Sequence, residues 1–255
     1  MTIFQTIAVA FSMFSAVPMP QFDWNRKNMR YVLLAFPLIG VLIGLVCRAA
    51  DLLCEWLALP AILRGAVFCV IPFVLTGGIH LDGYADTCDA LASHADPVKK
   101  QEILKDPHVG SFAVMRICGT FLLTFALWAG LPEYRPVPVF LIFVLSRILS
   151  GLAVASFPMA KNSGLAYSFA EAAEKKRVRA VLIILDVLAT ALLFTCDTPG
   201  IAMAAAAHLT FLYYYRMSMK QFGGISGDLA GWFLVEAEKW MLAALAAAEY
   251  LEAIL

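Results

Sequence analysis

Several apolar runs in this chain approach or reach the ~20 residues needed to cross the hydrocarbon core of a bilayer. This feature restricts the fold more than any other. In lipid every backbone N–H and C=O must find its partner inside the segment, so runs of this kind fold as helices. They fall at about 31–49, 61–76, 111–130, 137–157, 180–195, 201–215 and 230–253. The chain is 62% hydrophobic and 15% charged over 255 residues, whereas soluble domains carry about 25% charged residues. The expected fold is all-α: a polytopic membrane helix bundle of about six to seven transmembrane helices, with residues 1–255 as one integral-membrane unit. The lipid bilayer is thus the first expected partner. A formal net charge of zero shows no nucleic-acid footprint.

Details within the runs support close helix packing. Gly40 and Gly44 form a G-x-x-x-G pattern, which lets two backbones approach, and Pro37 predicts a kink. Residues 2–17 are uncharged and lack the basic start of a signal peptide. They are expected to remain in the chain as a short membrane helix or an interfacial one. The six cysteines (Cys47, Cys54, Cys69, Cys88, Cys118 and Cys196) form no C-x-x-C pair and read as buried small hydrophobes.

Basic residues orient the bundle. The loops 21–30, 77–110, 158–179 and 216–229 hold 13 Lys and Arg, against two in the connections 48–60, 131–136 and 196–200. Positive loops stay inside, so the first set is expected in the cytoplasm, with the active site on that face. The 77–110 stretch is read as a long loop, far longer than a bundle connection needs.

That stretch carries the densest chemistry. Gly77 and Gly78 precede Asp82, Gly83, Asp86 and Asp89. If helix starts at Asp82, the three carboxylates share one face. They would repel one another without a cation between them, and Mg²⁺ takes oxygen ligands together with substrate phosphates. A second glycine-rich turn, Gly223-Gly224-Ile225-Ser226-Gly227-Asp228, opens on the same side, and Asp228 there is either a helix cap, a metal ligand or both. His80 would stand ahead of the helix, at the lip of the site, as a base, a phosphate donor or a structural group. Arg147 lies near the middle of a span, where a charge is costly and signals a site. Lys105 and Asp106, in Lys105-Asp106-Pro107-His108, are expected to face substrate. The basic run Lys175–Arg179 and Lys161 follow the positive-inside bias.

The stretch Gly77 to Ala90 resembles the signature of the cobalamin (5′-phosphate) synthase family, also called adenosylcobinamide-GDP ribazoletransferases. Phe36-Pro37-Leu38-Ile39-Gly40, Ile103 to Phe112, Ser146-Arg147 and Gly223 to Asp228 accompany it in order. The resemblance covers about residues 5 to 235. Tyr84 stands where leucine is expected and Ala90 where glycine is expected. Ala160-Lys161-Asn162 replaces an arginine-bearing version, which leaves a phosphate contact without its expected residue.

The resemblance implies an integral-membrane transferase of the bacterial cytoplasmic (inner) membrane. It would join adenosylcobinamide-GDP to α-ribazole, or its 5′-phosphate, releasing GMP with Mg²⁺ as cofactor. In that reading Asp82, Asp86, Asp89 and Asp228 hold the metal, and His80, Asp82 or Asp86 serves catalysis. Gly77, Gly78, Gly83, Lys105, Asp106, Arg147, Gly223, Gly224 and Gly227 meet substrate. Homo-oligomerisation is left open. Two other readings compete. A CDP-alcohol phosphotransferase would carry an Ala-Arg pair where Ala85-Asp86 stands. An ion-coupled transporter would place its acids at the bilayer midplane.

Overall fold

The computed structural model describes residues 3–254, and its regular elements are all helices. The first residue of the 2–17 segment, the two ends of the 1–255 unit, and the side chain of the basic residue Arg26 lie outside the described residues. The helices are α1 (Ile3–Phe14), α2 (Arg26–Met29), α3 (Val32–Trp56), α4 (Ala61–Thr76), α5 (Ile79–Ala92) and α6 (Pro97–Ile103). They continue with α7 (Ser111–Gly130), α8 (Pro136–Ser156), α9 (Leu165–Ala172), α10 (Lys175–Phe194), α11 (Asp197–Phe222) and α12 (Gly227–Ile254).

By length and apolarity, α3, α7 and α8 can cross a membrane, and α4 with α5 make a fourth span if the bent pair counts as one. The expectation of six to seven spans is therefore met in part. Helices α10, α11 and α12 are long enough, at 20, 26 and 28 residues, but they carry charges such as Asp186, Arg216, Glu236, Glu238 and Lys239. Helix α1 has 12 residues, about 18 Å at 1.5 Å per residue, too short to span. Its Ala8, Val9, Ala10 and Met13 are buried, and the helix packs on α3.

Two expectations about loops are corrected. The 77–110 stretch is largely helical, because α5 buries Tyr84, Cys88 and Ala90 and α6 is capped by Asp96. The loop expected at 216–229 shrinks to a turn, since α11 continues to Phe222 and α12 starts at Gly227. The cysteines divide: Cys47, Cys54 and Cys88 are buried, but Cys118 is exposed and Cys69 and Cys196 are half-buried.

The bundle is built on the α3–α8 contact. A Cβ on Gly40 would lie 2.3 Å from the Phe143 carbonyl oxygen, and one on Gly44 would lie 2.5 Å from the Phe140 ring. The G-x-x-x-G pattern is thus the groove into which α8 fits.

The two ends of the bundle differ. At one end Asp51, fully buried, pairs with Arg48 at 2.6 Å and Arg64 at 2.8 Å. Arg135 reaches Glu249 at 3.1 Å at the same end. At the other end the four basic loops meet. Glu174 N–H donates to the Arg30 carbonyl at 3.2 Å, and Gln101 donates to the Phe222 carbonyl at 2.8 Å. Ala160 N–H donates to the Ile225 carbonyl at 2.9 Å. The sequence expectation that these loops share one side agrees with this gathering.

Replacing Gly40 by leucine would push α8 away at its closest point. We expect a loss of about 1–3 kcal/mol or more, read as a lower unfolding temperature in detergent and a smaller monodisperse fraction, whereas Gly119→Leu, where a Cβ meets nothing within 4 Å, should be close to neutral.

Candidate functional site

The site starts at a hinge. Helix α4 ends on Gly77 and α5 begins after Gly78, with φ of 63° and 78°, a left-handed conformation that glycine adopts without steric penalty. Gly78 N–H donates to the Phe73 carbonyl at 3.1 Å and Gly77 N–H to the Val74 carbonyl at 3.3 Å, closing the end of α4. The chain turns by 96°. These two glycines shape the bend, and they do not line the cavity described below.

Glycines also set how α5 meets α12. A Cβ on Gly83 would come 2.7 Å from the Asp228 Cα, and one on Gly231 would come 2.9 Å from the His80 carbonyl oxygen. The two helices therefore touch backbone to backbone, in opposite directions. That contact carries Asp82 and Asp228 into one cavity of about 550 Å³. Ser226 takes the capping role ahead of α12, its Oγ accepting from Leu229 N–H at 3.2 Å. Asp228 is left to face the cavity.

The wall opposite comes from the 158–167 segment. Gly224 lets it close down, since a Cβ there would sit 2.5 Å from Ala160 N. A short parallel bridge joins Met159 to Ile225. This clamp places Lys161 in the cavity wall beside Lys105, with Gly227 and Gly164. The Lys161 ammonium donates to the Gln101 carbonyl at 3.1 Å. Burial, and then the neighbouring Lys105, lower its pKa from the ordinary lysine value, while Asp228 opposes the shift. The cavity thus has two carboxylates and two ammonium groups at one end. Its other end is apolar, lined by Met13, Phe14, Leu33, Phe36 and Phe169.

The three aspartates of α5 do share a face, but they do different things. Asp82 is exposed to the cavity. Asp86, half-buried, lies within electrostatic reach of Asp82, Asp228 and Asp89. Asp89 points to the start of α7, where its carboxylate accepts from Gly110 N–H at 2.6 Å and Ala113 N–H at 2.8 Å. It satisfies unpaired donors at a helix N-terminus. Among the described residues no group of three His, Cys, Asp or Glu side chains forms a ready-made metal cage. Mg²⁺ does not need one, because one or two carboxylates suffice when phosphate oxygens complete the shell. The all-oxygen donors Asp82 and Asp228, with Asp86 behind them, fit a hard cation of that kind.

Three other expected residues are placed differently from the sequence reading. Helix α5 starts at Ile79, so His80 lies in its first turn and not ahead of it. Its ring sits 5.9 Å from that of Phe36, and its Nε2 is buried without a hydrogen-bond partner. His80 lines both the large cavity and a smaller one of about 110 Å³. Arg147 belongs only to the smaller cavity. It is 1% exposed and pairs with Glu238 at 2.6 Å, while Ser146 donates to the same carboxylate at 3.1 Å. A buried ion pair is the usual way a charge survives inside a membrane bundle. Asp106 lies on an exposed turn, where His108 N–H donates to it at 3.0 Å and the His108 ring approaches at 2.7 Å. That backbone hydrogen bond, and then the ring, lower its pKa. It does not line the cavity, and neither do Gly223 and Gly224.

Sequence reasoning assigned Lys161 to the positive-inside bias and overlooked Glu238. A signal for Glu238 was present, since a mid-span arginine requires a buried acid. Lys161 had no such signal, because its position depends on the clamp across Gly224. Tyr84 likewise has a partner in space: its hydroxyl meets Thr120 Oγ1 at 2.8 Å and donates to Glu236 at 3.2 Å, joining α5, α7 and α12.

Fold and cavity together define an all-helical protein of membrane type, with a cavity that joins a charged end to an apolar one. Its more particular kinship comes from comparison with known sequences. Residues 6–246 match the Cobalamin-5-phosphate synthase family, and the chain belongs to that family. It is 40% identical over 231 residues to an adenosylcobinamide-GDP ribazoletransferase of Lachnoclostridium phytofermentans, covering 90% of this chain and 88% of the relative. It is 31% identical to one from Clostridium botulinum strain Alaska E43 and 32% identical to one from Clostridium perfringens strain ATCC 13124, each over 92% of this chain and 94% of the relative. No solved structure matches the chain. The family assignment decides among the three readings of the sequence in favour of the first.

Removing the Asp89 carboxylate should fray the start of α7. For Asp89→Ala we expect a loss of about 1–2 kcal/mol and faster hydrogen exchange at the amides of residues 110–114, with exchange in α8 unchanged.

Proposed function

We propose that this protein joins adenosylcobinamide-GDP to α-ribazole, or to α-ribazole 5′-phosphate. The products are adenosylcobalamin, or its 5′-phosphate, and GMP. The observation that carries this reading is the cavity end where Asp82 and Asp228 face Lys105 and Lys161, in a chain of this family. A diphosphate needs both kinds of group: cations for its charge, and carboxylates to hold a metal and take up a proton.

The chemistry is a phosphoryl transfer, in which positioning and charge stabilisation dominate. The ribose hydroxyl oxygen bonds to the phosphorus on the corrinoid arm. The bridging P–O bond breaks, and GMP leaves with that electron pair. In this reading an aspartate at this end accepts the hydroxyl proton, and one carboxylate oxygen of Asp82, open to the cavity, is our candidate. Lys105 and Lys161 hold the diphosphate oxygens and favour the charge that builds on the leaving phosphate. Asp82 and Asp228 would hold Mg²⁺, with Asp86 in support; when bound, Mg²⁺ would neutralise phosphate charge and align the diphosphate. Asp89 helps indirectly by fixing α7 against α5. His80 supports the floor of the pocket: its backbone lies against Gly231 and its ring against Phe36.

The positive-inside bias supports a cytoplasmic orientation for this end of the bundle, where nucleotide substrates are made. A multi-pass protein of the bacterial inner membrane, with a single membrane transferase unit, fits the apolar helices and the family.

Two measurements test the reading. Purified protein supplied with both substrates and Mg²⁺ should release GMP; EDTA should stop the release and added Mg²⁺ restore it. Asp82→Asn and Asp228→Asn should each lower turnover by about 10²-fold or more while leaving the folded fraction unchanged. Wild-type protein that releases no GMP, or an Asp82→Asn variant near wild-type rate, would overturn it. Lys161→Ala should raise the KM for the diphosphate substrate by about tenfold, with less effect on the KM for α-ribazole.

A further inference from the structure

Both ammonium groups at the charged end of the cavity hang on α6. Lys105 follows its last turn, where its N–H donates to the Glu102 carbonyl at 2.9 Å, and Leu104 and Lys105 line the cavity. Lys161 comes from the distant 158–167 segment, yet its ammonium donates to the Gln101 carbonyl at 3.1 Å. Two like charges side by side repel, so something has to hold them there. The position of α6 fixes the position of both.

Helix α6 is not placed by apolar burial. It has seven residues, too few to be stable alone. Val98 is 71% exposed, and Lys99 and Glu102 pair with each other at 2.9 Å on the outside. The one buried residue of α6 is Lys100, 5% exposed. Burying an ammonium is costly unless acceptors meet it. Lys100 donates to Gln221 Oε1 at 2.5 Å, in the last turn of α11, where the helix end carries partial negative charge. Beside it, the Gln101 side chain donates to the Phe222 carbonyl at 2.8 Å. Two polar side chains therefore tie α6 to the end of α11.

That end is also the start of the turn that leads to Asp228. Its Ile225 holds the 158–167 segment, donating to the Pro158 carbonyl at 2.9 Å. Both cations and one carboxylate of the site are thus set from a single turn. We infer that Lys100 and Gln101, neither of which lines the cavity, are positioning residues that hold Lys105 and Lys161 together, in register with Asp228, for a diphosphate. The inference deepens the reading in the preceding subsection and rests on it. Because α6 contributes a single buried residue, freeing it should displace the lysines and leave the membrane helices in place.

The test uses Lys100→Met and Gln101→Met in the full chain, which keep side-chain length and remove the donors. Each should raise the KM for adenosylcobinamide-GDP about three- to tenfold, with kcat and the KM for α-ribazole within about twofold. Combined with Lys161→Ala, the effect of Gln101→Met should fall below the product of the two separate effects by about threefold, because it acts through that lysine. A general structural defect would instead lower kcat or the folded fraction and multiply fully with Lys161→Ala. Either result, or an unchanged KM in both variants, overturns the inference. Binding of inorganic pyrophosphate with Mg²⁺, followed by calorimetry, needs no turnover. Its Kd should rise in Gln101→Met by a similar factor, again with less than the full product in the double variant. That pattern in a protein that releases no GMP would sink the proposed reaction and leave the positioning role standing. An equal Kd in wild type and Gln101→Met would overturn the positioning role even where GMP is released.

Discussion

The backbone contact between α5 and α12 is the constraint on which the site depends. Gly83 lies against Asp228 and Gly231 against His80, so no side chain separates the two helices at these points. Any larger residue would have to part them, since its Cβ would fall 2.7 Å from the Asp228 Cα or 2.9 Å from the His80 carbonyl oxygen. Asp82 and Asp228 are 146 positions apart in the chain, and only this approach brings them to the same cavity. The 96° bend at Gly77 and Gly78 makes the approach possible, because a straight continuation of α4 would carry the aspartates away from α12. The glycine-rich character of both motifs is thus explained by geometry first. Of the glycines in the two motifs, Gly83 and Gly227 also line the cavity.

Charge is distributed in the bundle by the same economy of space. Deep inside, Arg147 is paired with Glu238, and Lys239 with Glu236 at 2.6 Å, so that α12 brings its own counter-ions to α8 and to itself. At the far end Asp51 is neutralised by two arginines. The charged groups that line the large cavity, Asp82, Asp228, Lys105 and Lys161, have no such close ion pair with one another. A site that must exchange a highly charged ligand keeps its charges for that ligand, whereas structural charges are consumed by permanent partners. This difference separates Arg147, which sequence position made suspect, from Lys161, which it did not.

The same contrast explains how far the sequence could be read. Apolar runs announced α3, α7 and α8, because a bilayer-length segment admits few other structures. Gly40 and Gly44 announced a close helix contact, though not that Phe143 and Phe140 would fill it. The loops around 77–110 and 216–229 were misread as irregular. Their polar composition resembles that of loops, yet α5 buries Tyr84 and Cys88, and α11 carries its helix past Arg216 to Phe222. The sequence marked Asp82 and Asp228 by their glycine-rich settings, and both reach the same cavity. The role of Asp89 was illegible, since a carboxylate can hold a cation or cap a helix, and only the position of Gly110 decides between them.

The sequence by itself determined the helical, membrane-type architecture, the family, and the acidic and basic loops from which a site could be made. These follow from local properties: hydrophobic length, charge bias and motif spacing. Tertiary structure alone decided which members of those loops meet. Lys161 entered the cavity because Gly224 lets the 158–167 segment close on Ile225. Arg147 left it because Glu238 lies within 2.6 Å. Phe14 met the rings of Phe36 and Phe169 because three helices distant in the chain converge at the cavity. Such convergence depends on packing between segments whose contacts leave no periodic trace in the chain.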